Sequence, residues 1–146
     1  MLAGASIVVG LVVFVAACSS NDNQSDAPPT ISSSTPDRKL EVPATAYVGE
    51  MIQVSFPRGT ARGLQFTFSR QTKPKTWELT YWLFSGAHGN TPSAVRPGES
   101  YASPSVAILG DEPDPLLLPT DVQPGRYQIC SYDPPQYCGE ITIEAK

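Results

Sequence analysis

The stretch Asp121-Val122-Gln123-Pro124-Gly125-Arg126-Tyr127-Gln128-Ile129-Cys130 decides the fold. Its Pro124-Gly125 pair is typical of a tight turn, because proline presets φ and glycine tolerates positive φ. Beyond the turn, Tyr127 and Ile129 alternate with polar residues. Successive side chains of a strand point to opposite faces, so this alternation predicts a strand with one buried face.

The same alternation recurs through the last residues of the chain, 40–146. The apolar members of the other runs are Ile52, Val54, Phe56, Leu64, Phe66, Phe68, Trp77, Leu79, Tyr81, Leu83, Val106, Ile108, Leu116, Leu118, Ile141 and Ile143. With an edge strand near Glu41–Tyr47, these runs amount to about seven strands. The 15 prolines argue against long helices. The pattern therefore predicts one all-β domain, an antiparallel sandwich or a small barrel.

The 121–130 stretch resembles the tyrosine corner of immunoglobulin-like sandwiches. In that motif a tyrosine near the start of a strand precedes a cysteine, and its hydroxyl bonds to upstream backbone. Tyr127 lies three residues before Cys130 rather than two, so we expect Cys130 to face away from the side that the antibody cysteine occupies. The resemblance implies an antiparallel immunoglobulin-like or fibronectin-like sandwich of about seven strands.

A second signal lies at the start of the chain, where an apolar run, Ile7–Val15, leads into Val15-Ala16-Ala17-Cys18. The run is shorter than the roughly 20 residues of a membrane-spanning helix and fits the core of a signal peptide. It resembles the signal peptide and lipobox of bacterial lipoproteins. That resemblance implies removal of residues 1–17, acylation of Cys18 and a lipid-anchored position on the extracytoplasmic face of the cell membrane. Residues 1–21 carry no charged side chain, so the true start lies upstream or the N-terminus is atypical.

Residues 18–39 follow as a segment rich in Ser, Thr, Asn, Asp and Pro. Such a composition buries too little apolar surface to offset the entropy of ordering the chain. We therefore predict a flexible tether between the lipid and the domain. Thr30–Thr35 resembles the O-glycosylated linkers of actinobacterial lipoproteins, and an unmodified linker fits equally well.

The three cysteines are consistent with this organisation. With Cys18 lipidated, Cys130 and Cys138 remain to pair. The hairpin that we expect places Ile129 opposite Gly139, and the next pair in that register is formed by the two cysteines. The predicted disulfide is therefore local to one hairpin. The competing interpretation, a redox or metal site, has the wrong spacing for CxxC chemistry or a zinc knuckle.

The net charge of −4 argues against bulk nucleic-acid binding. The cations are nevertheless concentrated between residues 50 and 78, a segment that contains Arg58, Arg62, Arg70, Lys73 and Lys75. This basic hairpin could contact anionic lipid headgroups or wall polymers, or it could be an ordinary solvated strand face. We take Arg70, Lys73 and Lys75 as the candidate rim of a binding surface.

Trp82 and Phe84 are the first candidate contacts on that surface. If the apolar residues of 77–83 all face the core, strand parity places these two on the outer face, where exposed aromatic side chains often dominate binding. The alternative is that the loop between Gly86 and Ser105 covers them, or that a bulge changes the register. Tyr132 and Tyr137, which flank a Pro-Pro pair, form a second candidate surface at a loop tip.

Signals for catalysis are weak. His88 is the single histidine, and Ser85 lies near it without a nucleophile motif. The acidic cluster Asp111-Glu112-Pro113-Asp114 could bind calcium, but its spacing matches no EF-hand, and an ordinary turn explains it as well. We expect no cofactor, no metal site and no catalytic residues.

The sequence thus favours an envelope lipoprotein whose sandwich is a non-catalytic binding or accessory module for an envelope protein or a wall polysaccharide. One alternative is an inhibitor that inserts a proline-rich loop into the cleft of a secreted enzyme. Another is a small hydrolase that uses His88 with a loop carboxylate.

Overall fold

The computed structural model describes residues 38–102 and 108–146. The predicted signal peptide, the predicted acylation site Cys18 and nearly all of the predicted tether lie outside these residues. The described strands are β1 (Thr45–Tyr47), β2 (Met51–Val54), β3 (Ala61–Arg62), β4 (Gln65–Lys73), β5 (Thr76–Phe84), β6 (Ser93–Val95), β7 (Ile108–Leu109), β8 (Asp114–Leu117), β9 (Gly125–Ser131) and β10 (Cys138–Glu144). A 3-10 turn, Ala87–Gly89, lies between β5 and β6.

Six strands form the main sheet in the order β1-β10-β9-β4-β5-β6. All neighbours in it are antiparallel except β1, which pairs with β10 in parallel. In the β9–β10 hairpin, Ile129 lies opposite Gly139 and Cys130 opposite Cys138. The two cysteines form a disulfide, so both the predicted register and the predicted bridge are confirmed.

A second layer packs on one face of this sheet. It consists of the antiparallel pair β2–β8, and a further short pair joins β3 to β7. The core between the layers contains Phe66, Phe68, Tyr81, Leu83, Tyr127, Ile129, Ile141 and Ile143 from the main sheet and Ile52, Val54, Leu116 and Leu118 from the second layer or just beyond it. These positions follow the alternation of the sequence. The predicted all-β immunoglobulin-like sandwich is confirmed, with two short strands, β3 and β6, that the sequence pattern did not predict.

The tyrosine corner is present at the start of β9. Its phenol donates a hydrogen bond of 2.7 Å from Tyr127 Oη to the backbone carbonyl of Gln123. The ring of Tyr127 is buried and stacks on Phe68 with centroids 4.4 Å apart. The corner therefore fixes the turn before β9 to the core, as the motif implied.

One expectation about β5 is wrong. Phe68 lies opposite Tyr81, but the next residue of β4, Ser69, lies opposite Leu79, so Thr80 is an extra residue in β5. Such a β-bulge exchanges the two faces of a strand beyond it. As a result Trp77 and Leu79 are half-buried and lie outside the core cluster instead of facing the interior.

The basic stretch is also interrupted by the fold. Arg62 is buried, and its Nε lies 2.6 Å from Asp114 Oδ2. A guanidinium that is neutralised in the interior adds nothing to a surface potential. The remaining cations of the stretch lie at separate places, with Arg58 in the loop before β3 and Lys73 and Lys75 at the β4–β5 turn.

Candidate functional site

The outer face of the main sheet, which points away from β2–β8, carries a cluster of aromatic side chains where β5 ends. Trp82 and Phe84 both lie on this face, since the intervening Leu83 faces the core. Phe84 is only 4% exposed, because the ring of Tyr101 covers it at a centroid distance of 4.8 Å. Its predicted role as an exposed contact is therefore wrong, and the cover comes from the loop between Gly86 and Ser105.

Trp82 is half-buried, and the ring of the exposed Tyr132 packs nearly perpendicular to its indole, with centroids 5.4 Å apart. Both exposed tyrosines of this cluster are held by Gln65 of β4. The Tyr132 amide donates to the Gln65 carbonyl at 2.9 Å, and the Gln65 side-chain amide donates to the Tyr101 hydroxyl at 3.1 Å. We call Trp82, Tyr101 and Tyr132 the aromatic surface. Tyr101 was not among the sequence candidates, because its position depends on a loop that returns across the sheet.

The two tyrosines of the β9–β10 loop do not form one surface. Tyr132 is 49% exposed on the outer side of the sheet. Tyr137 is half-buried and packs against Phe56 at 5.5 Å, on the side of the core. The pairing of Ser131 with Tyr137 through the 2.9 Å bond from Ser131 N to the Tyr137 carbonyl closes the loop between them. The prediction that Tyr137 contributes a contact at the loop tip is therefore wrong for this conformation.

The cationic residues do not surround the aromatic surface. Arg70 shares the core-facing side with Tyr127, its partner in β9, and its guanidinium donates to Gln123 Oε1 at 2.7 Å. Lys73 and Lys75 are exposed at the far end of the hairpin. Lys73 lies six positions from Thr67, the partner of Trp82, which corresponds to about 20 Å along the strand. The expected charged rim is thus not assembled.

A polar network that the sequence did not indicate joins β5, the segment after β6 and the corner before β9. Tyr81 Oη donates to Asp121 Oδ1 at 2.5 Å and accepts from Arg96 Nε at 2.9 Å, and Arg96 also pairs with Asp121. These residues, with Arg70 and Glu78, line a concave volume of about 400 Å³.

The network shifts the ionisation of its members. Burial raises the pKa of Tyr81, and its hydrogen bond to Asp121 raises it further. The pKa of Asp121 is lowered, chiefly because the carboxylate accepts the Tyr81 hydrogen bond. Each partner favours the charge state that keeps the contacts intact. The network of Tyr81, Arg96 and Asp121 therefore links β5, the segment after β6 and the corner before β9, and we call it the latch.

The residues considered for catalysis are not assembled for it. Ser85 is fully buried, and its hydroxyl donates to Asp114 Oδ1 at 3.0 Å. His88 is exposed and has a positive φ of 55° in the 3-10 turn. The Asp114 side chain points into the interior and pairs with Arg62, whereas Asp111 is exposed. The two carboxylates therefore do not face a common site. In the described ranges no group of three His, Cys, Asp or Glu side chains is arranged to hold a metal ion. No helix in those ranges is long and apolar enough to cross a membrane.

No family model matches the chain, and no curated protein matches it. A solved structure that does match comes from work on the multimeric cell-adhesive interactions of VGSC beta subunits. The alignment covers 70% of this chain and 90% of that chain, at 16% identity and a TM-score of 0.40. So distant a similarity says nothing of function. The fold is assigned from the two-layer core and the tyrosine corner.

Proposed function

We propose that this chain is a membrane-anchored extracytoplasmic lipoprotein whose sandwich is a non-catalytic module that docks a protein of the cell envelope. The lipobox-like sequence ending at Cys18 supports the anchor. The Cys130–Cys138 disulfide supports an oxidising compartment outside the cytoplasm, since disulfides persist there and are rare in the cytosol.

The observation that carries the docking role is the exposure of Tyr101 and Tyr132, at 40% and 49%, on a fixed base. Both are tied to Gln65, and Tyr132 also rests on Trp82. Tyrosine loses few rotamers on binding, and positioning it beforehand lowers the entropy cost further. Aromatic side chains held in this way are the usual hot spots of protein interfaces.

A protein partner fits this surface better than a polysaccharide. The ring of Tyr132 packs nearly at right angles to the indole of Trp82, with centroids 5.4 Å apart, and so restricts the stacking of a sugar ring on Trp82. The hydroxyl of Tyr132 and the rings of both tyrosines offer the mixed polar and apolar contact that is enriched where proteins meet.

The test is photocrosslinking in intact cells from a photoreactive residue at position 132, in the full chain with its own signal sequence. Tyr47 is a matched control position, because it is similarly exposed, at 46%, but lies in β1 at the opposite edge of the sheet. We expect a discrete protein adduct from position 132 and none of that mass from position 47. Identical adducts from both positions, or a diffuse glycan adduct from position 132, would contradict the proposal.

Two variants complete the design. Tyr101→Ala, made in the protein that carries the photoreactive residue at position 132, is expected to reduce recovery of the crosslinked partner at least tenfold, whereas Tyr47→Ala leaves it unchanged. Cys18→Ser is expected to release the protein from the membrane fraction, and retention there would contradict the lipid anchor. If the recovered partner is a secreted enzyme that loses activity on binding, the module acts as an inhibitor.

A further inference from the structure

A second concave site lies on the outer face of the sheet, at the end remote from the aromatic surface. It is lined by Gln71, Pro74, Lys75, Trp77, Arg126 and Glu140 and encloses about 320 Å³. Trp77 and Trp82 are five positions apart in β5, which corresponds to roughly 15 Å along a strand. The two surfaces can therefore bind different ligands.

The bulge at Thr80 creates this site. With an unbroken register, Trp77 would face the same side as the buried Tyr81 and Leu83. The extra residue instead places Trp77 opposite Gln71. Bulges commonly re-aim a side chain beside a functional site. Here the bulge places the partly exposed indole of Trp77 on the outer surface instead of in the core.

The neighbouring strands add hydrogen-bonding groups on the same face. Arg126 and Glu140 each precede a core residue, Tyr127 and Ile141, and so point outward. Their side chains pair at 2.5 Å and remain more than half exposed. Together with the amide of Gln71 they supply donors and acceptors beside the indole.

Lys75 sets the charge of the rim. It is exposed, it is paired with no carboxylate of the described ranges, and it adopts φ +61° in the turn of the β4–β5 hairpin. Glycine or asparagine normally occupies such a turn position, because a side chain with a Cβ is strained there. A lysine in a conformation that disfavours it is a local backbone outlier, and such outliers cluster at binding sites. Since Arg126 and Glu140 offset each other, the rim of the site is net positive.

We propose that the Trp77 site binds one or two sugar units of an acidic polysaccharide. The apolar face of a sugar ring would stack on the indole of Trp77, and its hydroxyls would bond to Gln71 and Glu140. Its carboxylate would lie between Lys75 and Arg126, where charge-assisted hydrogen bonds are strong. The volume is near the lower limit for ligand pockets, about 300 Å³, which suits so small a segment.

The site can be tested independently of any protein partner, with the purified full chain and hexagalacturonate as the acidic probe. Maltohexaose serves as a neutral probe of the same length, and vesicles that contain phosphatidylglycerol serve as an anionic surface without sugar chains. Isothermal titration calorimetry measures every affinity, because Trp77→Phe removes the indole that the sugar would contact. Tryptophan fluorescence of Trp82→Phe, in which Trp77 is the single tryptophan, shows whether that indole reports binding. We expect saturable binding of hexagalacturonate, at least tenfold weaker binding by Trp77→Phe, and unchanged affinity in Trp82→Phe.

A charge-matched pair of variants separates the site from general electrostatics. Lys75→Ala is expected to weaken hexagalacturonate binding at least threefold, whereas Arg58→Ala, which removes an exposed cation from a different loop, leaves it unchanged. Equal losses in the two variants would overturn the proposal. So would equal affinity for maltohexaose, or binding to the vesicles without binding to hexagalacturonate.

Discussion

The Arg62 guanidinium and the Asp114 carboxylate form an ion pair that is almost completely shielded from solvent, with side-chain exposures of 3% and 0%. Arg62 also donates to the Glu112 carbonyl at 2.8 Å, and Ser85 donates to the second oxygen of Asp114 at 3.0 Å. Both charged side chains therefore have hydrogen-bonding partners within the protein. The pair joins β3 to the start of β8, and this explains why two charged residues are tolerated in the interior.

Arg62→Met is expected to destabilise the domain by about 3–5 kcal/mol, because it leaves the Asp114 carboxylate buried without a cationic partner. Urea unfolding measures the loss. Arg58→Met, in an exposed loop, is the control and should change stability by less than about 0.5 kcal/mol. The double variant Arg62→Met with Asp114→Leu removes both charges and should recover much of the loss. A double variant as unstable as Arg62→Met alone would contradict this explanation.

The Cys130–Cys138 bridge crosses neighbouring strands of one hairpin, and it closes a short loop. Replacing both cysteines with serine is expected to cost about 2–3 kcal/mol, the chain-entropy value for a loop of this size. Reduction of the oxidised protein should lower its free energy of unfolding by a similar amount. The double serine variant should show no further change with reductant, and a further change would mean that another thiol contributes.

The features that the sequence predicted correctly are those with a local cause. The β9–β10 register follows from period-two alternation on both sides of a short loop, so Cys130 could be placed opposite Cys138. The tyrosine corner likewise lies within ten residues, and Tyr127 reaches back only four positions to Gln123. In both cases one strand face and one turn determine the contact.

The features that were missed depend on distant parts of the chain. The bulge at Thr80 exists only relative to the partner strand, and the alternation within β5 therefore gave Trp77 the wrong face. The cover of Phe84 comes from Tyr101, which reaches it through a long connection. Arg62 and Asp114 are 52 residues apart, and no pattern within either segment marks them as partners.

The latch formed by Tyr81, Arg96 and Asp121 predicts how stability depends on pH. The raised pKa of Tyr81 means that its contribution is fully present below the ordinary tyrosine value of about 10 and is lost as the pH rises through the higher folded value. Burial raises the pKa of Tyr127 as well, so it adds to the alkaline loss. The lowered pKa of Asp121 affects stability at acid pH. Its contribution is present above the ordinary value of 3.8 and is lost as the pH falls through the lower folded value.

Tyr81→Phe tests this dependence, because it removes one late-ionising phenol and the hydrogen bond that most lowers the Asp121 pKa. Urea midpoints measured from acid to alkaline pH should show a less steep alkaline decline and a smaller acid decline than in the unmodified protein, because the folded pKa of Asp121 then lies closer to its ordinary value. Absorbance at 295 nm should show one fewer late-titrating tyrosine. Tyr47→Phe, which removes an exposed tyrosine in β1, should leave both the acid and the alkaline decline of the urea midpoint unchanged. Parallel pH profiles for the two variants would contradict the latch.

Lys75 offers a test in which stability and binding move in opposite directions. Its φ of +61° strains any residue with a Cβ, so Lys75→Gly should stabilise the domain by about 1 kcal/mol and raise Tm by about 4–8 °C. Lys75→Ala keeps the strain and should leave stability within about 0.5 kcal/mol. Both variants lose the cation and should bind hexagalacturonate more weakly by the same factor. If Lys75→Gly is less stable than the unmodified protein, the turn is not strained. If Lys75→Gly binds hexagalacturonate weakly and Lys75→Ala does not, binding depends on the geometry of the turn and not on the charge of Lys75.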